Sequence, residues 1–479
     1  MVLATLLFSL IPELAFSQSP ETSQTSEVPQ TSEAVEQRLG QLEAEVQRLR
    51  QSRIAGPPPP STSEDDAFGS LTEPWDDCTL PGDQCAGDGS MFGNHGDPKY
   101  PTVKLTGFFQ ADWGWFNQDL NNVAAVGDLQ DGGDFRRTRL AAKGDVWDNV
   151  GYIIEMDFSA PGRPSFMDVW AEIRDVPVFN RVRIGQFRQP IGMGALTSVR
   201  ELPFLERALP FAFLPFRQLG VMAHGQSENQ RVTWAASAFR FPTDAFGGNV
   251  GDNGGYATAA RVTWLPLYED DGEFLIHVGA ATSFGDPANN RVRYRNQPEF
   301  FVAETGGADL VPGGVPSNVP PFVDTGPIAA NNFTIPGVEA AAVWHSFYIQ
   351  SELLYSIVNQ IGGPTLTFPG LYAHMGLFLT GETRPYNRAN GVFSRIKPLD
   401  PVDGKGGLGA WEVAARWSYL DLNDAAIRGG RLQDVTIGLN WYLNPFMKFQ
   451  VNYIRAFLAS PISGDSTADI IAARAQVDF

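Results

Sequence analysis

The carboxyl end of the sequence shows the chain's clearest alternation of apolar and polar positions. Between Ile471 and Phe479 the odd-numbered positions are all apolar, and the even-numbered ones include Arg474, Gln476 and Asp478. A period of two residues is that of a β-strand with one apolar and one polar face. Because an open strand edge invites uncontrolled pairing, we expect this strand to have a partner on each side.

The same alternation recurs from Val103 onward. In 435–443, for example, Val435 and Ile437 alternate with Thr436 and Gly438. Sixteen strands are predicted, at 103–116, 134–144, 150–158, 165–174, 179–187, 217–225, 231–240, 255–264, 273–284, 336–344, 347–357, 370–380, 410–420, 433–443, 447–457 and 468–479. An apolar outside, a polar inside and no free edge describe a membrane barrel. The sequence therefore predicts an all-β fold, a 16-stranded antiparallel transmembrane β-barrel over 103–479, closed by pairing of 468–479 with 103–116.

The predicted connections differ in length on the two rims. Those after even-numbered strands are short, with 381–409 as the exception, whereas those after odd-numbered strands are mostly long, such as 117–133, 241–254 and 285–335. Short turns on the periplasmic side and long loops outside are typical of outer-membrane barrels. An array of soluble β-sandwiches shows the same alternation, and solubility of the chain without detergent would favour it.

The first hundred residues have a different character. Residues 1–17 resemble a secretory signal peptide, with an apolar stretch from Val2 to Ile11 and small residues Ala15 and Ser17 before the expected cleavage site. Residues 18–32 are rich in Ser, Thr, Gln and Glu and are expected to be disordered. No stretch elsewhere approaches the length of a membrane-spanning helix.

Residues 33–53 predict a short helix with a heptad seam. Apolar residues recur there at spacings of four and three, at Val35, Leu39, Leu42, Val46 and Leu49. A lone helix of this length is marginal, so we expect it to self-associate as a coiled coil. A single amphipathic helix packed on another surface is the alternative.

Residues 54–102 form an acidic linker rich in Pro and Gly. Gly56 to Pro60 ends the helix and stiffens the chain. Cys78 and Cys85 are expected to form a local disulfide, since an exported protein folds in an oxidising compartment. The surrounding aspartates match no calcium-binding loop, and two cysteines without neighbouring histidines do not predict a zinc site.

Charge narrows the possible partners. The chain carries a net charge of −19, and the fifteen acids and five bases between Gln18 and Thr102 account for −10 of it. An acidic protein of this kind is not expected to bind nucleic acid. The five histidines are scattered, and no nucleophile, phosphate loop or dinucleotide fingerprint accompanies them. We therefore predict neither an enzyme nor a cofactor or metal site.

One long connection, 188–216, is too apolar and too rich in proline to extend into water. In a sixteen-stranded porin the loop at this position folds into the lumen and narrows it. Basic residues gather in the same region, with twelve bases and nine acids from Arg136 to Arg217. The predicted pore-lining and anion-binding residues are Arg137, Arg139, Lys143, Arg181, Arg183, Arg188, Arg200, Arg207 and Arg217.

Guanidinium groups in a narrow pore attract anions and offer forked hydrogen bonds to their oxygens. The alternative is structural ion pairing, because carboxylates are available nearby on Glu155, Asp157, Asp168, Glu172, Glu201 and Glu206. The sequence leaves both interpretations open.

From Val103 to Phe479 the chain resembles the phosphate-selective porin O and P family. The resemblance rests on segments such as 204–210 (FLERALP), 379–388 (LTGETRPYNR), 409–416 (GAWEVAAR), 438–445 (GLNWYLNP) and 474–479 (RAQVDF). It implies a trimeric outer-membrane porin with a path for anions, a long segment at 381–409, and recognition of Phe479 by the barrel-assembly machinery. Lysine is scarce, since only Lys104, Lys143, Lys397, Lys405 and Lys448 occur from Val103 onward.

The function predicted from these observations is a passive channel in the outer membrane of a Gram-negative-type cell envelope, with the N-terminal region in the periplasm. Small anionic solutes such as phosphate would pass through it, and outer-membrane lipid would surround a homotrimer held by the barrel and the coiled coil. A general or weakly cation-selective porin is the nearest alternative. A barrel that tethers the envelope through 33–53 is another.

Overall fold

A computed structural model describes residues 100–159, 164–244, 247–248, 254–300, 302 and 320–479. The predicted signal peptide, the disordered segment 18–32, the coiled-coil helix and the pair Cys78 and Cys85 lie outside these residues. Of the predicted linker 54–102, only its last three residues are described.

Sixteen long strands in the described part of the chain form one barrel. They are β1 (Lys104–Gln118), β2 (Gly132–Trp147), β3 (Val150–Asp157), β4 (Ser165–Val176), β5 (Asn180–Arg188), β6 (Arg217–Gln226), β7 (Val232–Arg240), β8 (Tyr256–Glu269), β9 (Phe274–Asp286), β10 (Ile328–Trp344), β11 (Phe347–Gln360), β12 (Thr365–Phe378), β13 (Ala410–Asp424), β14 (Ile427–Asn444), β15 (Met447–Ser460) and β16 (Gly464–Asp478). Each corresponds to one predicted strand, so the prediction of a 16-stranded barrel is confirmed.

The barrel closes between its first and last strands. Every strand pairs antiparallel with the next, and β16 pairs with β1 in a register that joins Trp115 to Ile471 and Phe108 to Asp478. The amide of Phe479 donates to the carbonyl of Gly107 at 2.9 Å, and the amide of Gly107 donates to the carbonyl of Phe479 at 2.8 Å. No edge of β1 or β16 is therefore left open along this register.

The two faces of the strands differ as the alternation predicts. On β14, Val435 and Ile437 are 42% and 58% exposed, whereas Thr436 is fully buried. On β16, Ile471 is 50% exposed and Arg474 is 1% exposed. Apolar side chains therefore face outward and polar ones inward, as an outer-membrane barrel requires.

The connections on one rim are short, at 148–149, 177–179, 227–231, 270–273, 345–346 and 445–446, and we call this the short-turn rim. The segment 379–409 is its long exception, as expected. The opposite rim, here the long-loop rim, carries 119–131, 158–164, 189–216, 241–255 and 287–327. It also has tight turns at 361–364, 425–426 and 461–463, because β11 to β16 extend further than their predicted bounds.

Two kinds of helix interrupt the connections. Helix α1 (Leu120–Val126) follows β1, with the Asp119 side chain capping its first turn, and helix α2 (Met193–Leu196) lies in 189–216. Short 3-10 turns occur at Val199–Glu201, Leu209–Phe213, Asp270–Gly272 and Ala288–Asn290, and two-residue pairings at Arg291–Val292, Arg295–Asn296, Val323–Asp324, Tyr386–Asn387 and Val392–Phe393. Within the described residues, no helix is long and apolar enough to span a membrane.

The interior near the long-loop rim contains an apolar core. Leu209 and Phe213 from 189–216 pack with Tyr294 and Phe322 from 287–327 against inward side chains of the barrel wall. The wall residues are Phe333, Ile335, Leu354, Val358, Leu366, Phe368, Leu420, Leu422, Leu432 and Leu458, all 3% exposed or less. Part of the lumen is therefore filled by folded chain.

Candidate permeation pathway

Residues 189–216, here called the inward segment, lie inside the barrel. Pro190, Pro203, Pro210 and Pro215 break the chain into the short turns described above, because proline cannot donate a backbone hydrogen bond. Most of its side chains are buried, and Leu205 and Leu209 are fully so. A segment this apolar is stable inside the lumen because it packs against the wall instead of meeting water.

A cluster of three arginines binds the inward segment at Glu206. Arg137 donates to both Glu206 oxygens at 3.0 and 2.9 Å, Arg136 donates at 3.1 Å, and Arg474 at 2.9 Å. Burial raises the pKa of Glu206, but the charges of Arg136, Arg137 and Arg474 outweigh this and hold it below its ordinary value. Glu206 is therefore ionised, and it neutralises part of this arginine cluster.

Side chains of β13 to β16 hold the backbone of the same segment. Each donates to a backbone carbonyl oxygen of the inward segment. Arg416 donates to the Glu206 carbonyl at 2.9 Å and Asn440 to the Pro203 carbonyl at 2.8 Å. Lys448 and Gln450 donate to the Leu202 carbonyl at 3.2 Å each, and Gln476 to the Arg200 carbonyl at 3.3 Å. These bonds satisfy buried carbonyls that have no helix or sheet partner. The inward segment is thus fastened to β13 to β16, in addition to its bonds with Arg136 and Arg137 of β2.

Two further connections reinforce that side. From 287–300, Glu299 accepts hydrogen bonds from the Leu209 amide at 3.2 Å and from the Thr436 hydroxyl at 3.1 Å, and it pairs with Arg416. From 379–409, Arg395 pairs with Glu201 at 3.3 Å and with Asp478. The barrel interior beside β13 to β16 is therefore occupied from both rims.

A cavity of about 350 Å³ lies between the inward segment and β1 to β8. Five arginines line it, at Arg139, Arg183, Arg188, Arg200 and Arg261, against two carboxylates, Glu155 and Asp168. Four of these arginines belong to the predicted anion-binding set, and the structure brings them together. Arg261 is a fifth that the sequence reasoning missed, although it lies on the inward face of its predicted strand.

Several of the predicted arginines have carboxylate partners. Arg139 lies 2.7 Å from Asp157, Arg183 lies 2.6 Å from Glu172, and Arg181 lies 3.5 Å from the same glutamate. Arg217 pairs with Asp168 at 3.2 Å. Arg261 likewise donates to Glu339 at 2.9 Å. Ion pairing, the alternative left open by the sequence, therefore describes these residues and Arg137.

Arg188 and Arg200 have different surroundings. Arg188 donates to the Leu196 and Thr197 carbonyls at 2.9 and 3.3 Å, and the Arg200 guanidinium lies 5.3 Å from the centre of the Phe108 ring. Within the described residues neither forms a salt bridge with a carboxylate. Carbonyl and ring contacts do not neutralise the positive charge of these two arginines, although Glu155 and Asp168 act on Arg188, and Asp478 on Arg200, through longer-range electrostatics.

Two other predicted residues lie elsewhere. Arg207 is buried within the inward segment, where it donates to the Gly194, Ala195 and Thr197 carbonyls at 3.0, 3.2 and 3.1 Å. Lys143 is exposed near the short-turn rim, opposite Lys104 on β1. Neither is among the residues that line the cavity between the inward segment and β1 to β8.

Histidine and aromatic side chains complete the cavity. His224 lies 2.9 Å from Glu172, so it belongs to the same charged group as Arg183. Phe108, Ile153, Trp170 and Met222 supply apolar surface. In the described residues, no three His, Cys, Asp or Glu side chains are placed to hold a metal ion.

Comparisons with known proteins agree with this architecture. The sequence model of the phosphate-selective porin O and P family matches residues 103–479. Porin O of Pseudomonas aeruginosa is 22% identical over 400 residues, covering 79% of this chain and 88% of that protein. An uncharacterised protein of Caulobacter vibrioides is 28% identical over 383 residues, covering 75% of this chain and 72% of that protein.

Two solved structures are similar at low identity. An anion-selective porin from Comamonas acidovorans has a TM-score of 0.49 and 11% identity, and the match covers 79% of this chain and 99% of that one. The trimer form of OmpT from Vibrio cholerae has a TM-score of 0.46 and 9% identity, with the same coverage of the two chains.

Proposed function

Because the chain belongs to the phosphate-selective porin O and P family and is an outer-membrane porin, we propose that it is a passive diffusion channel for small anionic solutes such as phosphate. Solutes pass through the cavity beside β1 to β8, and the inward segment with Arg188 narrows the path. Family membership makes the protein a channel rather than an enzyme.

One observation carries the preference for anions. Arg188 and Arg200 face the cavity with carbonyl and ring contacts, whereas the other lining arginines, Arg139, Arg183 and Arg261, have carboxylate partners. Guanidinium groups without a direct salt-bridge partner, at a narrow point in a region of low dielectric, raise the local concentration of anions. The paired arginines contribute shape and rigidity more than net charge.

Reversal potentials in a potassium chloride gradient test this proposal. Replacing both Arg188 and Arg200 by Ala is expected to lower the chloride-to-potassium permeability ratio by roughly threefold or more, because the unpaired positive charge is lost. The matched control is Arg455→Ala, since Arg455 is 45% exposed and pairs with Asp469 outside the cavity. A cation-selective current through the unaltered protein would support the general-porin alternative instead.

We also propose how the channel is assembled in the envelope. The short-turn rim faces the periplasm, where residues 18–102 lie after removal of the signal peptide 1–17, with Cys78 bonded to Cys85. The heptads of 33–53 support a homotrimer by forming a coiled coil. Light scattering of the detergent-purified full chain is expected to give a trimer mass, and a monomer mass would contradict it.

Phe479 is the proposed assembly signal. Its ring is 64% exposed and lies over Gly107, where an added Cβ would come within 2.6 Å of it. Deleting Phe479 is expected to lower the amount of folded barrel in the outer membrane several-fold, measured by heat-modifiable migration, whereas Phe479→Tyr keeps the aromatic ring and the normal amount. Normal insertion of the shortened chain would contradict this role.

A further inference from the structure

The wall of the cavity carries a continuous apolar strip beside its arginines. Ile153 on β3 and Trp170 on β4 are cross-strand neighbours, and Met222 on β6 is the neighbour of Arg183 on β5. The Arg183 guanidinium stacks on Trp170, with its carbon 3.9 Å from the ring centre. Ile153 and Trp170 remain partly exposed to the cavity.

The inward segment adds apolar surface on the opposite side. Pro190, Leu196 and Val199 line the same cavity, and Val392 from 379–409 joins them. None of these side chains offers a hydrogen bond to a solute. On this apolar part of the lining a strongly hydrated ion recovers no hydrogen bonds, whereas the apolar body of an organic anion has none to lose. The hydrogen-bonding groups of the cavity are its arginines together with Ser198, His224, Thr233 and Asn390.

The positive groups in the cavity are all arginines. None of the lysines from Val103 onward lines it. A guanidinium group is less strongly hydrated than an ammonium group, binds a carboxylate through two parallel hydrogen bonds, and stacks on flat groups through its faces. Arg139 and Arg200 already stack in this way, since both guanidinium groups lie over Phe108, at 5.5 and 5.3 Å from the ring centre.

We propose that the preferred solutes are organic anions in which a single carboxylate is attached to a flat apolar body, that is, aromatic carboxylates. The carboxylate binds Arg188 at the end of β5 or Arg200 on the inward segment, and the ring lies along Ile153 and Trp170. The cavity of about 350 Å³ is large enough to hold such a solute. This inference rests on the anion channel proposed above and replaces inorganic phosphate as its main substrate.

Blocking of the chloride current separates this class from others. With the full chain in planar bilayers, benzoate is expected to reduce the current at a concentration about tenfold lower than acetate, which has the same charge but no ring. Inorganic phosphate is expected to resemble acetate. Equal block by benzoate and acetate, or stronger block by phosphate than by benzoate, would overturn the inference while leaving an anion channel.

Variants at Trp170 test where in the cavity the ring of benzoate binds. Trp170→Ala is expected to remove most of the difference between benzoate and acetate, and Trp170→Phe to keep it, because phenylalanine preserves a flat apolar surface. The matched control is Trp417→Ala, since Trp417 faces outward and is 39% exposed. An undiminished benzoate preference in Trp170→Ala would overturn the placement of the ring. A cation-selective current in the unaltered protein would instead overturn the proposed anion channel itself. The comparison of benzoate with acetate uses the unaltered protein, so it does not depend on whether a variant folds.

Discussion

At the scale of residues, Glu206 fixes the inward segment to the barrel wall. Its carboxylate is buried and accepts from Arg136, Arg137 and Arg474, so one anion contacts three guanidinium groups. Arg474 is shared with Asp112 on β1, which links the segment to the strand pair that closes the barrel. The sequence identified Glu206 as a possible partner of nearby arginines, but it could not connect it to Arg474, which lies far along the chain.

Replacing Glu206 by Ala is expected to destabilise the barrel by about 3 to 5 kcal/mol, because it removes a buried negative charge that three guanidinium groups share. The shift can be measured as a lower midpoint of guanidinium chloride unfolding in detergent. Asp469→Ala, which breaks the exposed pair with Arg455, is the matched control and should cost about 1 kcal/mol or less. Equal effects of the two changes would show that Glu206 does not hold the segment.

At the scale of elements, the strands are longer than their alternation indicates. β10 begins at Ile328 and not 336, β12 at Thr365 and not 370, and β14 at Ile427 and not 433. Near the long-loop rim the inward side chains of these strands, such as Ile335 and Leu432, pack against the apolar core. The outward side chains of these stretches include polar ones, such as Thr365, Thr367 and Arg431, so the pattern of apolar outside and polar inside that marks the predicted strands is reversed there.

The inward segment should stay in place across neutral and mildly acidic pH. The pKa of Glu206 lies below its ordinary value, so its ionisation stabilises the fold above about pH 4.3 and this contribution is lost as the pH falls further. The contribution of Glu206 to the free energy of unfolding is therefore expected to be constant from pH 8 to 5. In Glu206→Gln the loss of unfolding free energy below pH 4 should be smaller than in the unaltered protein. Identical pH profiles for the two proteins would argue against this role of Glu206.

At the scale of the whole molecule, the cavity between the inward segment and β1 to β8 lies to one side of the barrel. The inward segment, 287–300 and 379–409 are all bonded to the wall of β13 to β16, whereas the cavity is lined by side chains of β1 to β8. On the filled side even polar residues such as Asn452 are fully buried. In the described residues, these segments therefore fill part of the space inside the sixteen-stranded barrel.

Cysteine accessibility measures this asymmetry. In a chain whose Cys78 and Cys85 are replaced by Ser, Ile153→Cys on the open side should react with a water-soluble thiosulfonate and reduce the current by about half or more, because the added group occupies the path. Asn452→Cys also faces inward but lies on β15, in the filled half, and should not react. Equal reaction at both positions would place water on both sides of the inward segment.

The sequence by itself determined the barrel, because alternation is a local property that each strand carries in its own residues. It also located the inward segment at 188–216, since an apolar, proline-rich connection cannot extend into water, and it placed Ile471 to Phe479 against the first strand. Tertiary structure alone decided which arginines form salt bridges with carboxylates. Within the described residues, Arg188 and Arg200 do not. Those pairings join residues that are distant along the chain, and their distances depend on how the barrel closes and on which wall the inward segment is bonded to.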